Sequence, residues 1–164
     1  MSPEATIELL NTYYALMFEA VTSNGGIVSL MVGDGLMALF GAPQPVENSA
    51  QQAVSAAREM LSMLDVFNAE RHGTDEPELK VGFGVATGEV IAGYAGTDTR
   101  ATYTCIGKTV NLAARLEAHT KAVDEPILLD AQTHQNLEDA SLCQSVPAVQ
   151  FKGFSEVLNV FSTR

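Results

Sequence analysis

Asp34 stands between two glycines, in Gly33-Asp34-Gly35, and that triplet separates two short apolar runs at 27–32 and 36–40. Asp-Gly between apolar runs is a strong hairpin signal. A carboxylate held at the tip of two rigid strands could bind a divalent cation. Aspartate is also simply a good turn residue, and locally that is enough to account for it. Asn111 and Arg115 lie four residues apart in the stretch 109–119, which reads as a helix. They therefore project from one face, a turn apart. An amide beside a guanidinium could hold a ribose and a phosphate, although a solvated helix face has the same composition. Gly107-Lys108-Thr109 looks like the end of a phosphate-binding loop, but Thr102 occupies the position where that loop needs its other glycine. Gly82, Gly84 and Gly88 miss the dinucleotide-binding spacing. His72, His119 and His134 have no metal-ligand spacing, and Cys105 and Cys143 form neither a CxxC nor a disulfide framework. Two reduced thiols are the expectation.

The elements that must position these residues follow from periodicity. Residues 3–23 read as a helix, with Ser2 as N-cap, Pro3 in the first turn and Asn24-Gly25-Gly26 as the stop. The two apolar runs around Asp34 form a hairpin, and 47–70 a second amphipathic helix. A polar loop covers 71–77. Strands are expected at 79–86 and 89–94, separated by Thr87-Gly88, with a further short strand at 102–106. Helix 109–119, a strand at 127–129, a short helix at 131–137 and a closing hairpin from 149–151 and 157–161 complete the chain. This order argues for an α+β fold, with a largely antiparallel sheet and helices on one face.

Composition bounds the setting. The chain has 164 residues, with 46% apolar and 18% charged, which suits a single domain with a sizeable core (1–164). Nine basic against twenty acidic residues give a net charge of −11. Such a surface repels polyanions, so neither nucleic acid nor an anionic membrane is an expected partner. A small phosphate ligand needs only a few local cations. No apolar run approaches the ~20 residues of a membrane span, and MSPEATIELL lacks the features of a signal peptide. A cytoplasmic location is expected.

Three segments taken together are more specific: GGIVSLMVGDGLMALFGAP (25–43), VGFGVATGEVIAGYAG (81–96) and YTCIGKTVNLAARLEAHT (103–120). The chain resembles the catalytic domain of class III nucleotide cyclases, the adenylate/guanylate cyclase family, from about residue 3 through Phe151-Lys152-Gly153 to the end. The resemblance implies a ferredoxin-like, largely antiparallel sheet with helices packed on it. It also implies a head-to-tail homodimer with active sites at the interface, in which the 3′-hydroxyl of a nucleoside triphosphate attacks the α-phosphorus and pyrophosphate leaves. Two Mg2+ or Mn2+ ions assist in that family. By the match, Asp34 is a metal-binding carboxylate, Asn111 orients the ribose, Arg115 stabilises charge on the phosphoryl group, and Lys152 meets the terminal phosphates. Asn111 and Arg115 would serve the Asp34 of the other subunit.

Three departures qualify this. The family's second metal-binding Asp lies on an opening strand that would precede residue 1, so the chain reads as a fragment of a longer cyclase, inactive or weakly active alone. Regulatory domains would then lie elsewhere in the parent protein. The purine-reading position three before the hairpin Gly33 is Leu30, which matches neither the usual Lys of adenylate cyclases nor the Glu of guanylate cyclases. The partner position is Thr104, a common variant in bacterial adenylate cyclases. The leading expectation is therefore conversion of ATP to cyclic AMP. The alternatives are a guanylate cyclase and a non-catalytic module for dimerisation or nucleotide sensing.

Overall fold

The computed structural model describes residues 2–73, 78–97 and 99–164, without the side chains of Val32 and Arg100. The loop expected over 71–77 falls mainly on 74–77, outside the described residues. The elements run α1 Pro3–Ser23, β1 Ile27–Val32, β2 Gly35–Leu39, α2 Ser49–Glu70, β3 Phe83–Val85, β4 Ile91–Thr97, β5 Arg100–Ile106, α3 Lys108–Val123, β6 Ile127–Asp130, α4 Ala131–Gln135, β7 Gln144–Val149 and β8 Leu158–Thr163. As expected, Ser2 caps α1: its Oγ accepts from the Ala5 amide at 3.2 Å, with proline in the first turn.

The strands fall into three groups. β1 and β2 form an antiparallel hairpin, β4 and β5 a second one, and β3-β6-β8-β7 a four-stranded sheet. That sheet is mixed, because β3 runs parallel to β6 while the other pairs are antiparallel. The strands expected at 79–86 and 89–94 do not pair with each other. β4 pairs with β5 instead, from Ile91↔Ile106 to Thr97↔Arg100. The first strand is also shorter than expected: its pairing with β6 begins at Phe83↔Ile127, and ahead of it the Asn68 side chain bonds both the amide and the carbonyl of Leu79, at 2.9 and 2.8 Å.

Helices cover both faces of the four-stranded sheet, not one. Alternation along β6 decides this. Ile127 and Leu129 join Tyr13, Met17 and Val21 of α1 and Val54, Ala57 and Met60 of α2 in one core. Leu128 points the other way and joins Leu116 of α3 with Phe151 and Val160. The uninterrupted apolar run Ile127-Leu128-Leu129 is what a strand buried on both faces requires.

Among the described residues β2 pairs only with β1, and β3 only with β6. Between β2 and β3 lies a cleft of about 810 Å3, walled by α1 (Leu10, Tyr13), β2, β3 and α3 (Val110, Ala113), with Asp34 at its border.

Candidate functional site

Asp34 is exposed at the tip of the β1–β2 hairpin. The register Val32↔Gly35 makes Gly33-Asp34 the central pair of a two-residue turn. Gly33 has φ 61, and Asp34 is not among the residues with positive φ. This is the type II′ pattern, with glycine at the first central position. The expected Asp-Gly turn is thus shifted by one residue, because Gly35 is already in the ladder. Tyr14 of α1 reaches this turn. The Tyr14 hydroxyl donates to the Gly33 carbonyl. Tyr13 is buried, and its phenol is pushed up to about 12, by burial first and then by neighbouring charge that includes Asp34.

Leu30 follows a β-bulge at Ser29, where the β1–β2 register shifts between Val28 and Leu30. The bulge turns Ser29 inward, 8% exposed with no hydrogen-bond partner for its hydroxyl, and leaves Leu30 outward at 41%. Met37 is opposite Leu30, and its Sδ lies 3.9 Å from the Sγ of Cys105 on β5. That contact places the Thr104–Cys105 stretch of β5 beside the Leu30 hairpin. Thr104 is half-buried and pairs with Gly93. Burial pushes the Cys105 thiol up, and both cysteines are free, as expected.

Asn111 and Arg115 are exposed, one turn apart on α3. The helix is clamped in place. A Cβ on Gly84 would collide with the Ala113 carbonyl and the Glu117 amide, so α3 lies directly on the β3 backbone. The Thr109 hydroxyl donates to the Glu89 carbonyl at 3.0 Å and anchors the first turn. The loop after β3 is tied down through Asp130, whose carboxylate accepts from the Thr133 and Thr87 amides at 2.9 and 3.3 Å. Lys152 is exposed in the turn after Phe151. Phe151 meets His119 edge-on at 5.4 Å, which attaches that turn to the helix carrying Arg115.

The structure does not gather these residues into one pocket. Asp34 borders the cleft, and α3 presents Val110, Ala113, Ala114 and Glu117 to it, while Asn111 and Arg115 are not among its walls. Among the described residues, no three His, Cys, Asp or Glu side chains converge as a metal site. Sequence reasoning missed Gly84, the Ser29 bulge and Tyr14. Only the alternation of glycine with apolar residues in 81–86 hints at the first of these.

The family model described as the adenylate and guanylate cyclase catalytic domain matches residues 1–162. The chain belongs to that family. Adenylate cyclase 1 of Rhizobium meliloti (strain 1021) is 29% identical over 160 residues, covering 98% of this chain and 24% of the relative. The adenylate cyclase of Anabaena cylindrica is 33% identical over 171 residues, covering all of this chain and 33% of its own. This cyclase domain thus spans a third or less of those relatives. Solved structures similar to it include two at 30% identity. The adenylyl cyclase CyaB from P. aeruginosa is 30% identical with a TM-score of 0.90, covering 100% of this chain and 84% of that one. The guanylyl cyclase Cya2 is also 30% identical, with a TM-score of 0.87, covering 99% and 82%. No helix among the described residues of this cyclase domain is long and apolar enough to cross a membrane.

Proposed function

We propose that this cyclase domain binds ATP and, paired head-to-tail with a second copy, converts it to 3′,5′-cyclic AMP and pyrophosphate. In that step the 3′-oxygen forms a bond to the α-phosphorus and gives up its proton. The bond from the α-phosphorus to the bridging oxygen breaks, and its electron pair leaves with pyrophosphate. The observation that carries the reading is that Asp34 lines the cleft while the exposed Asn111 and Arg115 do not, which fits a site completed by two chains. Asn111 would hold the ribose. Arg115 would meet the negative charge on the transferring phosphoryl group, and Lys152 the terminal phosphates. Thr104 would offer the purine a hydroxyl, and Leu30 only apolar contact. The arm β4–β5 supports pairing, because Ile91, Tyr94 and Ile106 are 73%, 80% and 63% exposed.

Mg2+ commonly takes one or two carboxylates together with substrate phosphates. Asp34 fits one arm of such a site. Among the described residues no three His, Cys, Asp or Glu side chains converge at Asp34, so the two-ion site of the family is not filled out by a ligand cluster there. The cleft between β2 and β3 could accommodate an extended strand that pairs with both edges, joins the β1–β2 hairpin to the four-stranded sheet and brings a second carboxylate near Asp34. Such a strand, further regulatory domains and a cytoplasmic location belong to this reading of the parent protein.

Leu30, which matches neither purine-reading residue of the family, favours a rival, a non-catalytic cyclase-like module for dimerisation or nucleotide sensing. The likeness to a guanylyl cyclase makes GTP the second substrate to offer. The test is cyclic nucleotide production by the full-length protein with Mn-ATP and Mn-GTP supplied separately. Cyclic AMP alone is expected. Cyclic GMP would overturn the purine assignment, and neither product from a folded dimer would leave the non-catalytic module.

A further inference from the structure

The turn that presents Asp34 has an unusual degree of freedom. In a two-residue hairpin, the peptide between the central residues takes no part in the strand ladder. Here that peptide joins the Gly33 carbonyl to the Asp34 amide. Flipping it interconverts the type II′ and type I′ turns, the two favoured hairpin connections. Glycine at position 33 permits either state, and aspartate tolerates the positive φ that the I′ state would impose on it. The flip would also swing the Asp34 side chain in a new direction. The ladder leaves this choice open.

Tyr14 closes it from outside the hairpin. Its hydroxyl donates to the Gly33 carbonyl, across 19 residues of sequence. Its ring lies 5.4 Å from that of Tyr13, which is built into the main core. The phenol is therefore held before the bond forms, and little side-chain freedom is lost in making it. We propose that Tyr14 is a positioning residue for Asp34: its bond to the Gly33 carbonyl fixes the central peptide and hence the direction of the Asp34 carboxylate toward a nucleotide-bound cation. This inference rests on the reading of Asp34 as the functional carboxylate.

Tyr14→Phe removes the hydroxyl and keeps the ring. Two measurements test it: the backbone amide signal of Asp34 by NMR, and Mn2+ binding with a non-hydrolysable ATP analogue, followed by the electron paramagnetic resonance of free Mn2+. Asp34→Asn is the comparison. Tyr14→Phe is expected to split or broaden the Asp34 amide signal and to weaken Mn2+ binding about three- to tenfold, the effect of one neutral hydrogen bond. The melting temperature should stay near that of the parent, and Asp34→Asn should weaken binding further. If Asp34→Asn weakens binding while Tyr14→Phe changes neither readout, the Tyr14 assignment is overturned and the Asp34 reading stands. If Asp34→Asn itself leaves binding unchanged, the Asp34 reading falls and takes the role of Tyr14 with it.

Discussion

Tyr13 makes the clearest statement at the scale of single residues. Burial and the nearby Tyr14, Asp34 and Glu117 charges hold its phenol at about 12, against an ordinary value of 10.0. The folded state thus keeps this proton at a pH where the unfolded chain has released it. Stability supplied by the neutral phenol is complete below about pH 10 and is lost as pH rises toward 12. Alkaline denaturation should show this slope, and Tyr13→Phe should flatten it; equal slopes in the two proteins would remove Tyr13 as the cause. Local spacing alone left Asp34 accountable as a turn residue and Asn111–Arg115 as a solvated helix face; the family resemblance singled them out, and all three are solvent-accessible in the structure. The Tyr14 bond, the Ser29 bulge and the contact of Cys105 with Met37 all depend on partners distant in sequence or on strand register. Periodicity carries no information about such partners.

Among elements, α3 is positioned most tightly. It rests on β3 at a point where any side chain at residue 84 would strike its backbone. Gly84→Ala should destabilise the fold by roughly 1–3 kcal/mol, the usual range for overpacking, and should shift Asn111 and Arg115 with the helix. Chemical denaturation gives the first quantity, and a stability equal to the parent's would mean that the two backbones can separate at little cost. Most helices and the β1–β2 pairing were legible, because amphipathic periods and turn residues are local signals, whereas the closing hairpin was placed too late: β7 runs Gln144–Val149 and meets the expected 149–151 only at Val149. The pairing of β3 was not legible. Nothing within 79–86 says whether its partner is the next strand or β6, more than forty residues on. The apolar run in β6 held the answer to a different question, since Ile127-Leu128-Leu129 requires cover on both faces.

For the molecule as a whole, the central expectation is a division of labour between two copies. Asp34→Ala and Arg115→Ala should each abolish turnover of the full-length protein, by about a hundredfold or more where a transition-state charge contact is lost. Mixing the two variants should restore part of it, because one site of a mixed dimer keeps both residues. Absence of rescue, with mixed dimers demonstrated by native mass spectrometry, would refute the shared site. The family, the α+β class and the ferredoxin-like plan were readable from three sequence segments. The division of the strands into three groups was not, since it follows from which edges find partners in space.

That Asp34 lines the cleft while Asn111 and Arg115 do not has a consequence for dosage. On the shared-site reading, a lone chain carries two half-sites and no whole one. Below the concentration at which chains pair, the rate of cyclic nucleotide formation would grow as the square of the amount of protein rather than in proportion to it. A twofold rise in expression would then give a fourfold rise in signal. Any event that merely brings two chains together, such as clustering of an attached receptor, would switch the enzyme on without altering the chemistry at either half.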